Sequence, residues 1–318
     1  GKEHTTQIDY ELPFSSKHTL EAGLKYIFRK NYSVSDNSFF DVNDEIWKKD
    51  STQKNDLNHH QNIMSGYLNY SFKTGKFGLN AGFRGEYTFQ KIHFMNAQDT
   101  IIDNNFFDPV PSITISYQLG MTKTLRLGYN MRISRPGIWY LNPYVNNQNP
   151  TNIYYGNPNL DAEHTHNFNI NFGSFTPKIN LNTTLSYSLT NNAITSYSFV
   201  KDGVTHNTQD NIGKNQNVGL NVFGSWTPNL KIRWYVNANA NYTDIRSTNE
   251  TELKNNGFSG QVFSGLTLNL PKDLRLGANG GIFGNNIQLQ TTQSSFFFYS
   301  FNVMKSLFNK KLDINLST

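Results

Sequence analysis

The chain has 318 residues, 36% hydrophobic and 14% aromatic, with no cysteine and a formal net charge of +5. The lack of cysteine excludes a disulfide scaffold and a thiolate metal site, and the modest charge, without a clustered basic stripe, argues against nucleic-acid binding. No run reaches the roughly 18 consecutive apolar residues of a membrane-spanning helix. A helical membrane protein is therefore excluded.

The first predicted elements are long strands that are joined alternately by short and long connections. Residues 4–12 and 19–32 are predicted to form a hairpin around a short turn, and a long polar loop follows over residues 31–57. The next hairpin runs over residues 59–72 and 77–93, again with a short turn between its strands. In both pairs apolar and polar residues alternate, as in strands with one dry and one wet face.

The third hairpin shows the clearest alternation. After a predicted loop through Asp99 and Asp108, a strand around Ile113 turns at residues 120–124 into a strand with two distinct faces. One face carries Leu125, Leu127, Tyr129, Met131 and Ile133, and the other carries Arg126, Gly128, Asn130, Arg132 and Ser134. A period of two predicts that one face of the sheet avoids water and the other faces it.

A long loop is predicted over residues 135–163, and further hairpins turn at residues 175–178, 227–229, 271–273 and 305–311. This spacing predicts about fourteen strands and no helix. Asp202 and Gly203 favour the positive φ angles of a two-residue turn, which predicts a β-hairpin that protrudes at the opposite end from the short turns.

The pattern predicts an all-β protein, an antiparallel up-and-down transmembrane β-barrel. Several strands exceed the usual length of about 5–6 residues, short and long connections alternate as in outer-membrane barrels, and an open sheet of this size would leave exposed edges. The alternative is a soluble β-sandwich, in which the same apolar residues pack between two sheets.

Six charged residues are predicted to face the lumen of the barrel. Charges there need water, a cross-strand partner or a plug domain, because burial of an unpaired charge costs several kcal/mol. The lumen-facing or plug-facing candidates are Arg84, Glu86, Arg126, Arg132, Arg233 and Arg275.

The loop over residues 135–163 is the candidate for ligand binding, because it mixes aromatic rings with amides that can stack on a sugar or peptide and bond its edges. Anchoring at the membrane interface and packing of the loop itself are the alternatives. The candidates are Trp139, Tyr140, Tyr144, Asn147, Tyr154 and Tyr155.

Neither a metal site nor a catalytic site is predicted. His164 and His166 would share one face of a strand beside Glu163, but no third ligand is evident. The sequence lacks a nucleophile elbow, a phosphate-binding loop and a zinc-protease motif. We therefore expect no cofactor and no enzymatic activity.

Three segments carry a family resemblance: Ser-Arg-Pro at residues 134–136, Leu-Asn-Pro-Tyr at 141–144 and Gly-Asn-Pro-Asn-Leu-Asp-Ala-Glu at 156–163. They resemble the barrel of TonB-dependent outer-membrane receptors, especially the outer-membrane β-barrel family that is common in Bacteroidota. The family's motif before a barrel strand corresponds to Asn157, Pro158, Leu160 and Glu163.

The resemblance implies a barrel of roughly 22 strands with a plug, located in the bacterial outer membrane. It implies import of a scarce nutrient such as a glycan, siderophore, cobalamin or peptide, with energy from a TonB-type protein. The implied partners are outer-membrane lipid, the protein's own N-terminal plug domain and a surface lipoprotein, and no nucleic acid.

The chain begins directly in a strand and ends without a terminal aromatic strand, so residues 1–318 are expected to be one partial barrel domain without plug or signal peptide, an internal fragment of a larger receptor. The alternative function is a non-transporting outer-membrane barrel, or a surface-binding or adhesion module.

Overall fold

The computed structural model describes residues 1–34, 38–49, 56–95, 99–146, 149–248 and 253–318. These residues form nineteen strands and one helical turn, α1 (Ile138–Leu141). The strands are β1 (Lys2–Ser15), β2 (His18–Ser33), β3 (Ser38–Asp41), β4 (Ile46–Lys49), β5 (Asp56–Thr74), β6 (Phe77–Met95), β7 (Thr100–Gly120), β8 (Lys123–Ser134), β9 (Asn152–Tyr154), β10 (Glu163–Phe175), β11 (Ile179–Lys201), β12 (Val204–Asn229), β13 (Ile232–Ser247), β14 (Lys254–Leu270), β15 (Leu274–Phe283), β16 (Asn286–Ile287), β17 (Thr292–Gln293), β18 (Phe296–Leu307) and β19 (Leu312–Ser317).

The main sheet follows the order of the chain. Its path is β1-β2-β5-β6-β7-β8-β10-β11-β12-β13-β14-β15-β18-β19, in which each strand is antiparallel to the next. These are the fourteen strands that the turn spacing predicts. The short strand β9 adds to β12 in parallel, while β3–β4 and β16–β17 form separate hairpins. The prediction of no helix is wrong by one turn, α1, which lies within a predicted loop.

The longest hairpin, β11–β12, confirms the predicted tight turn. Lys201 pairs with Val204, and the two residues between them have positive φ angles, 52° at Asp202 and 78° at Gly203. The strands have 23 and 26 residues, whereas about 9–11 residues cross a bilayer. Much of this hairpin therefore extends beyond the membrane. It does so at the end of the sheet that carries the long loops, which we call the long-loop end.

The register of the strands places the apolar residues of neighbouring strands in continuous rows. Leu127 pairs with Ile115 on one side and with Ile170 on the other. These apolar side chains are exposed: 44% of the surface of Leu127 and 46% of that of Ile170 is accessible to solvent. A sandwich would bury them between two sheets, but here they form the outer surface of one sheet. The sandwich alternative is therefore wrong, and the all-β antiparallel up-and-down architecture is confirmed. Over the described residues the sheet is open, with β1 and β19 at its two edges.

Aromatic residues mark both limits of the apolar face. On β13, Trp234 lies near the short-turn end and Tyr242 lies eight residues further along, on the same face. Eight residues span about 27 Å along a strand, or about 21 Å perpendicular to the membrane at a tilt of about 40°. This is close to the apolar band of about 25 Å on outer-membrane barrels. Trp226 pairs with Trp234 and extends the lower row of aromatics.

Asp108 lies within a strand and not in the predicted loop. β7 begins at Thr100, and its register with β8 begins only at Ser112. Residues 100–111 thus pair with β6 alone, and such an edge tolerates Pro109 and Pro111, which lack a backbone donor. The proline residues gave the appearance of a loop although the alternation of faces continues through them.

The predicted polar loop over residues 31–57 contains the β3–β4 hairpin, and parts of it lie outside the described residues. Lys48 Nζ is 2.6 Å from Asp41 Oδ2 across this hairpin. The hydrogen bond from the Lys48 ammonium lowers the pKa of Asp41 below its usual range, and backbone N–H donors add to the effect.

Candidate functional site

The connection between β8 and β10, which we call the inner loop, is described over residues 135–146 and 149–162 and folds over the polar face of the sheet. Leu141 and Leu160 are only 1% and 3% exposed. They pack in a small apolar core with four wall residues of β5, β6 and β7, namely Leu57, Ile92, Phe94 and Ile102. Near the long-loop end, the face that is polar elsewhere thus carries apolar side chains, and these contact the inner loop. A face that is covered in this way is the interior of the barrel.

The inner loop is held together by its own backbone. Gly156 N–H donates to Asn142 O over 2.8 Å, and Asn157 N–H donates to Tyr140 O over 2.6 Å. A Cβ atom at Gly156 would lie 2.5 Å from Tyr140 O, so this close approach requires glycine. Strand β9 then pairs with residues 205–207 of β12. The loop therefore adds a short strand to the edge of β12 near the tip of the β11–β12 hairpin, beyond the residues of β12 that pair with β13.

Two of the family-motif residues, Asn157 and Leu160, fasten the inner loop to the wall, and Glu163 makes a bond within the wall itself. Asn157 Nδ2 donates to Asp210 Oδ1 (3.3 Å) and Asn157 Oδ1 accepts from Asn159 N–H (3.0 Å). Leu160 inserts into the apolar core, and Pro158 beside it is half-buried. Glu163 Oε1 accepts the backbone N–H of Ile194 over 2.6 Å.

The bond of Glu163 has a clear structural reason. The register of β11 with β12 shifts on both sides of Ala193, so nearby backbone groups need partners outside the ladder. Asn192, next to the shift, bonds the backbone at the start of β10: its Nδ2 donates to Ala162 O (2.6 Å), and its Oδ1 accepts from His164 N–H (3.2 Å). Sequence reasoning missed Asn192, because an asparagine in an asparagine-rich strand carries no distinctive signal.

A set of charged residues fastens the start of the inner loop. Arg135 Nη2 donates to Glu86 Oε2 (2.8 Å) and to Asp108 Oδ2 (3.0 Å). His164 Nε2 lies 2.8 Å from Asp108 Oδ1, and Arg84 Nε lies 2.8 Å from Glu86 Oε1. Asp108 is 2% exposed, so its carboxylate depends on these partners in place of water. We call these five residues the Arg135 network.

The structure brings only some of the predicted lumen residues together. Arg84 and Glu86 belong to the Arg135 network, and Arg84 and Arg132 line one cavity of about 480 Å³ on the polar face. Arg126 and Arg233 are exposed elsewhere on that face. Arg275 Nε donates to Asn269 Oδ1 over 3.1 Å near the short turns. A contact of these residues with a plug stays a prediction.

The predicted ligand-binding aromatics divide into exposed and anchored residues. Trp139, Tyr140 and Tyr154 are 76%, 46% and 53% exposed. Tyr144 is half-buried, and Tyr155 lies against the wall, with its Oη 3.3 Å from His206 Nδ1. Burial raises the pKa of the Tyr155 phenol. Asn147 lies outside the described residues, and contact with a ligand stays a prediction for this loop.

A second cavity, of about 360 Å³, lies between the wall and the start of the inner loop. His59, Gln61 and Gln90 line it and are each less than 10% exposed. The sequence gives no local signal for this site, because its walls come from β2, β5, β6 and the inner loop, which are far apart along the chain.

The histidines considered for metal binding have other partners. His164 belongs to the Arg135 network, and His166 Nδ1 is 3.0 Å from Tyr129 Oη. Within the described part of the chain, no three His, Cys, Asp or Glu residues are grouped closely enough to hold a metal ion. Over the same residues, no helix has the length and apolarity to cross a membrane.

Comparison with known proteins gives a family and a fold. The model of the outer membrane protein beta-barrel family matches residues 1–318. No curated protein matches the sequence. Among solved structures, the copper transporter OprC is similar with a TM-score of 0.71 and 12% identity, over 99% of this chain and 49% of that one.

Two further structures show the same relation. The ferric citrate transporter FecA, in its unliganded form, has a TM-score of 0.70 at 13% identity, over 99% of this chain and 48% of that one. The siderophore receptor PiuA from Acinetobacter baumannii has a TM-score of 0.65 at 16% identity, over 99% of this chain and 51% of that one. The chain thus spans about half the length of these proteins. The resemblance to TonB-dependent receptor barrels is confirmed at the level of the fold.

Proposed function

Because the chain belongs to the outer membrane protein beta-barrel family, we propose that it forms part of the wall of an outer-membrane receptor that imports a scarce nutrient. Energy would come from a TonB-type protein through the parent chain. The similar structures include transporters for copper and ferric citrate, which supports import as the class of activity. Nothing in the sequence favours catalysis, and we propose no enzymatic role.

The inward fold of the described part of the inner loop is the observation that carries this proposal. A pore for free diffusion needs an open lumen, whereas a receptor needs residues that converge on a ligand. Here the inner loop covers the polar face at the long-loop end, and the Arg135 network fastens its first residue to the wall. This arrangement narrows the lumen and provides a surface for binding.

Two further parts of the proposal concern contacts. Trp139, Tyr140 and Tyr154 present exposed rings at the long-loop end, so we assign them to stacking on the incoming ligand. Arg126 and Arg233 are exposed on the polar face, and an acidic surface of the protein's own plug domain would balance their charge. A surface lipoprotein at the long-loop end is a further proposed partner.

The test is uptake by cells that express the full-length protein, with and without the TonB-type partner. Ferric siderophores, cobalamin, oligosaccharides and peptides form the panel of candidate nutrients. We expect that uptake of at least one of them requires the partner. A Trp139→Ala and Tyr154→Ala double variant should lower that uptake, and Phe40→Ala in the separate β3–β4 hairpin is the matched control. Binding of a ligand at the cell surface with no energy-dependent uptake would instead support the adhesion alternative.

A further inference from the structure

The cavity beneath the start of the inner loop has the features of a built binding site. Its volume is about 360 Å³, which is within the range of small-ligand pockets. One side is polar, with Arg29, His59 and Arg135, and the other side is apolar, with Ile92 and Leu141. A ligand that fits both sides has a charged or polar head and an apolar body.

Two buried hydrogen-bond donors in this cavity are without partners. His59 is 8% exposed, and its Nε2 makes no hydrogen bond of normal geometry, although the Gln90 side chain is close enough to interact with the ring. The amide of Asn31 donates to His59 Nδ1 over 3.5 Å, so in the neutral ring the proton resides on Nε2. The Nε of Arg135 is likewise buried without a partner. Unsatisfied buried donors are unusual in folded proteins, and both would be satisfied by an acceptor oxygen.

The charges of the lining favour an anionic acceptor. Both arginines of the lining carry a positive charge, and no Asp or Glu lines the cavity. Arg29 is oriented by bonds to Glu3 (2.7 Å) and Gln61 (3.2 Å). The carboxylates that pair with Arg135 bond its Nη2 and leave its Nε available. Charge-assisted bonds from arginine to a carboxylate are stronger than bonds to a neutral amide.

We propose that this cavity binds the carboxylate of a small ligand with an apolar body, with His59 Nε2–H and Arg135 Nε–H as donors and Ile92 and Leu141 against the body. The inference deepens the proposed import function and rests on it for the role of the ligand. The site itself can be tested without transport.

The probe is phenylacetate, compared with its neutral isostere phenylacetamide. Binding is measured by saturation-transfer NMR on the full-length protein in lipid nanodiscs, with empty nanodiscs as the blank. We expect the carboxylate to bind at least about tenfold more tightly than the amide. His59→Leu should weaken binding of the carboxylate by about 10- to 100-fold. This variant should fold normally, because the buried Nε2 that it removes is unpaired and the bond lost at Nδ1, over 3.5 Å, comes from the exposed residue Asn31.

His60→Leu is the matched control, since His60 is adjacent in β5 but faces the opposite side of the sheet. It should bind phenylacetate like the wild type. Equal affinity for the two probes, wild-type affinity in His59→Leu, or no binding of phenylacetate would each overturn the site. A protein that shows the expected binding but no energy-dependent uptake would keep the site and refute the import function.

Discussion

The strongest consequence of the structure is that one buried carboxylate, Asp108, holds the inner loop against the wall. In the native protein both Arg135 and His164 donate to the Asp108 carboxylate. In Asp108→Asn one carboxylate oxygen is replaced by an NH₂ group, which is a donor and therefore cannot accept from whichever of the two residues it faces. At least one charge-assisted bond is lost, which costs about 1.5–3 kcal/mol. Arg135 retains Glu86 as a partner, so the barrel itself should stay folded. The inner loop should open about 10- to 150-fold more often.

Hydrogen exchange measured by mass spectrometry on the detergent-solubilised protein tests this expectation. Peptides from residues 135–162 should exchange faster in Asp108→Asn by the stated factor, while peptides from β13 should keep the wild-type rate. Asp9→Asn is the control, because Asp9 also accepts a hydrogen bond, from Tyr67 over 2.6 Å, but is exposed and distant from the loop. Unchanged exchange of the loop, or equal acceleration in β13, would refute the anchoring role of Asp108.

Three other substitutions have distinct expected outcomes. Leu160→Ala removes a side chain that is 3% exposed in the small core, which should cost about 2–5 kcal/mol and make the inner loop sensitive to a protease that leaves the wild type intact. Gly156→Ala places a Cβ 2.5 Å from a backbone oxygen and should speed exchange in the loop, whereas Gly137→Ala, where a Cβ meets nothing within 4 Å, should not. Leu127→Lys puts a charge on the lipid face and should lower the free energy of unfolding, measured with urea in lipid vesicles, by about 2–4 kcal/mol. Thr114→Lys on the polar face should lower it much less. Equal losses in the two variants would contradict the assignment of faces.

Local chemistry was sufficient for much of the wall. The alternation in β8 identifies its two faces, because a strand has a period of two whatever surrounds it. The Asp202-Gly203 turn needed only the positive φ angles that these residues adopt. The number of strands in the main path follows from the short turns, which recur at regular intervals.

Errors arose where a distant part of the chain decides the local structure. Asp108 was expected in a loop because of the neighbouring prolines, but β7 has only β6 as a neighbour there, so the prolines are tolerated. The helical turn α1 has only four residues, and its Leu141 packs against the wall, a contact that no pattern within the turn indicates.

The sequence by itself determined the strands, their faces and the membrane architecture, since these depend on side-chain alternation and on turn residues close in the chain. Only the tertiary structure decided where the inner loop lies, which charges meet in the Arg135 network and that His59 faces a cavity. These features join strands and loops that are separated by dozens of residues, and their contacts form only when the sheet curves and its polar face receives the loop. Polar residues on that face follow the same alternating pattern all along the chain. Only their neighbours in space show whether such a residue anchors the inner loop or lines the lumen.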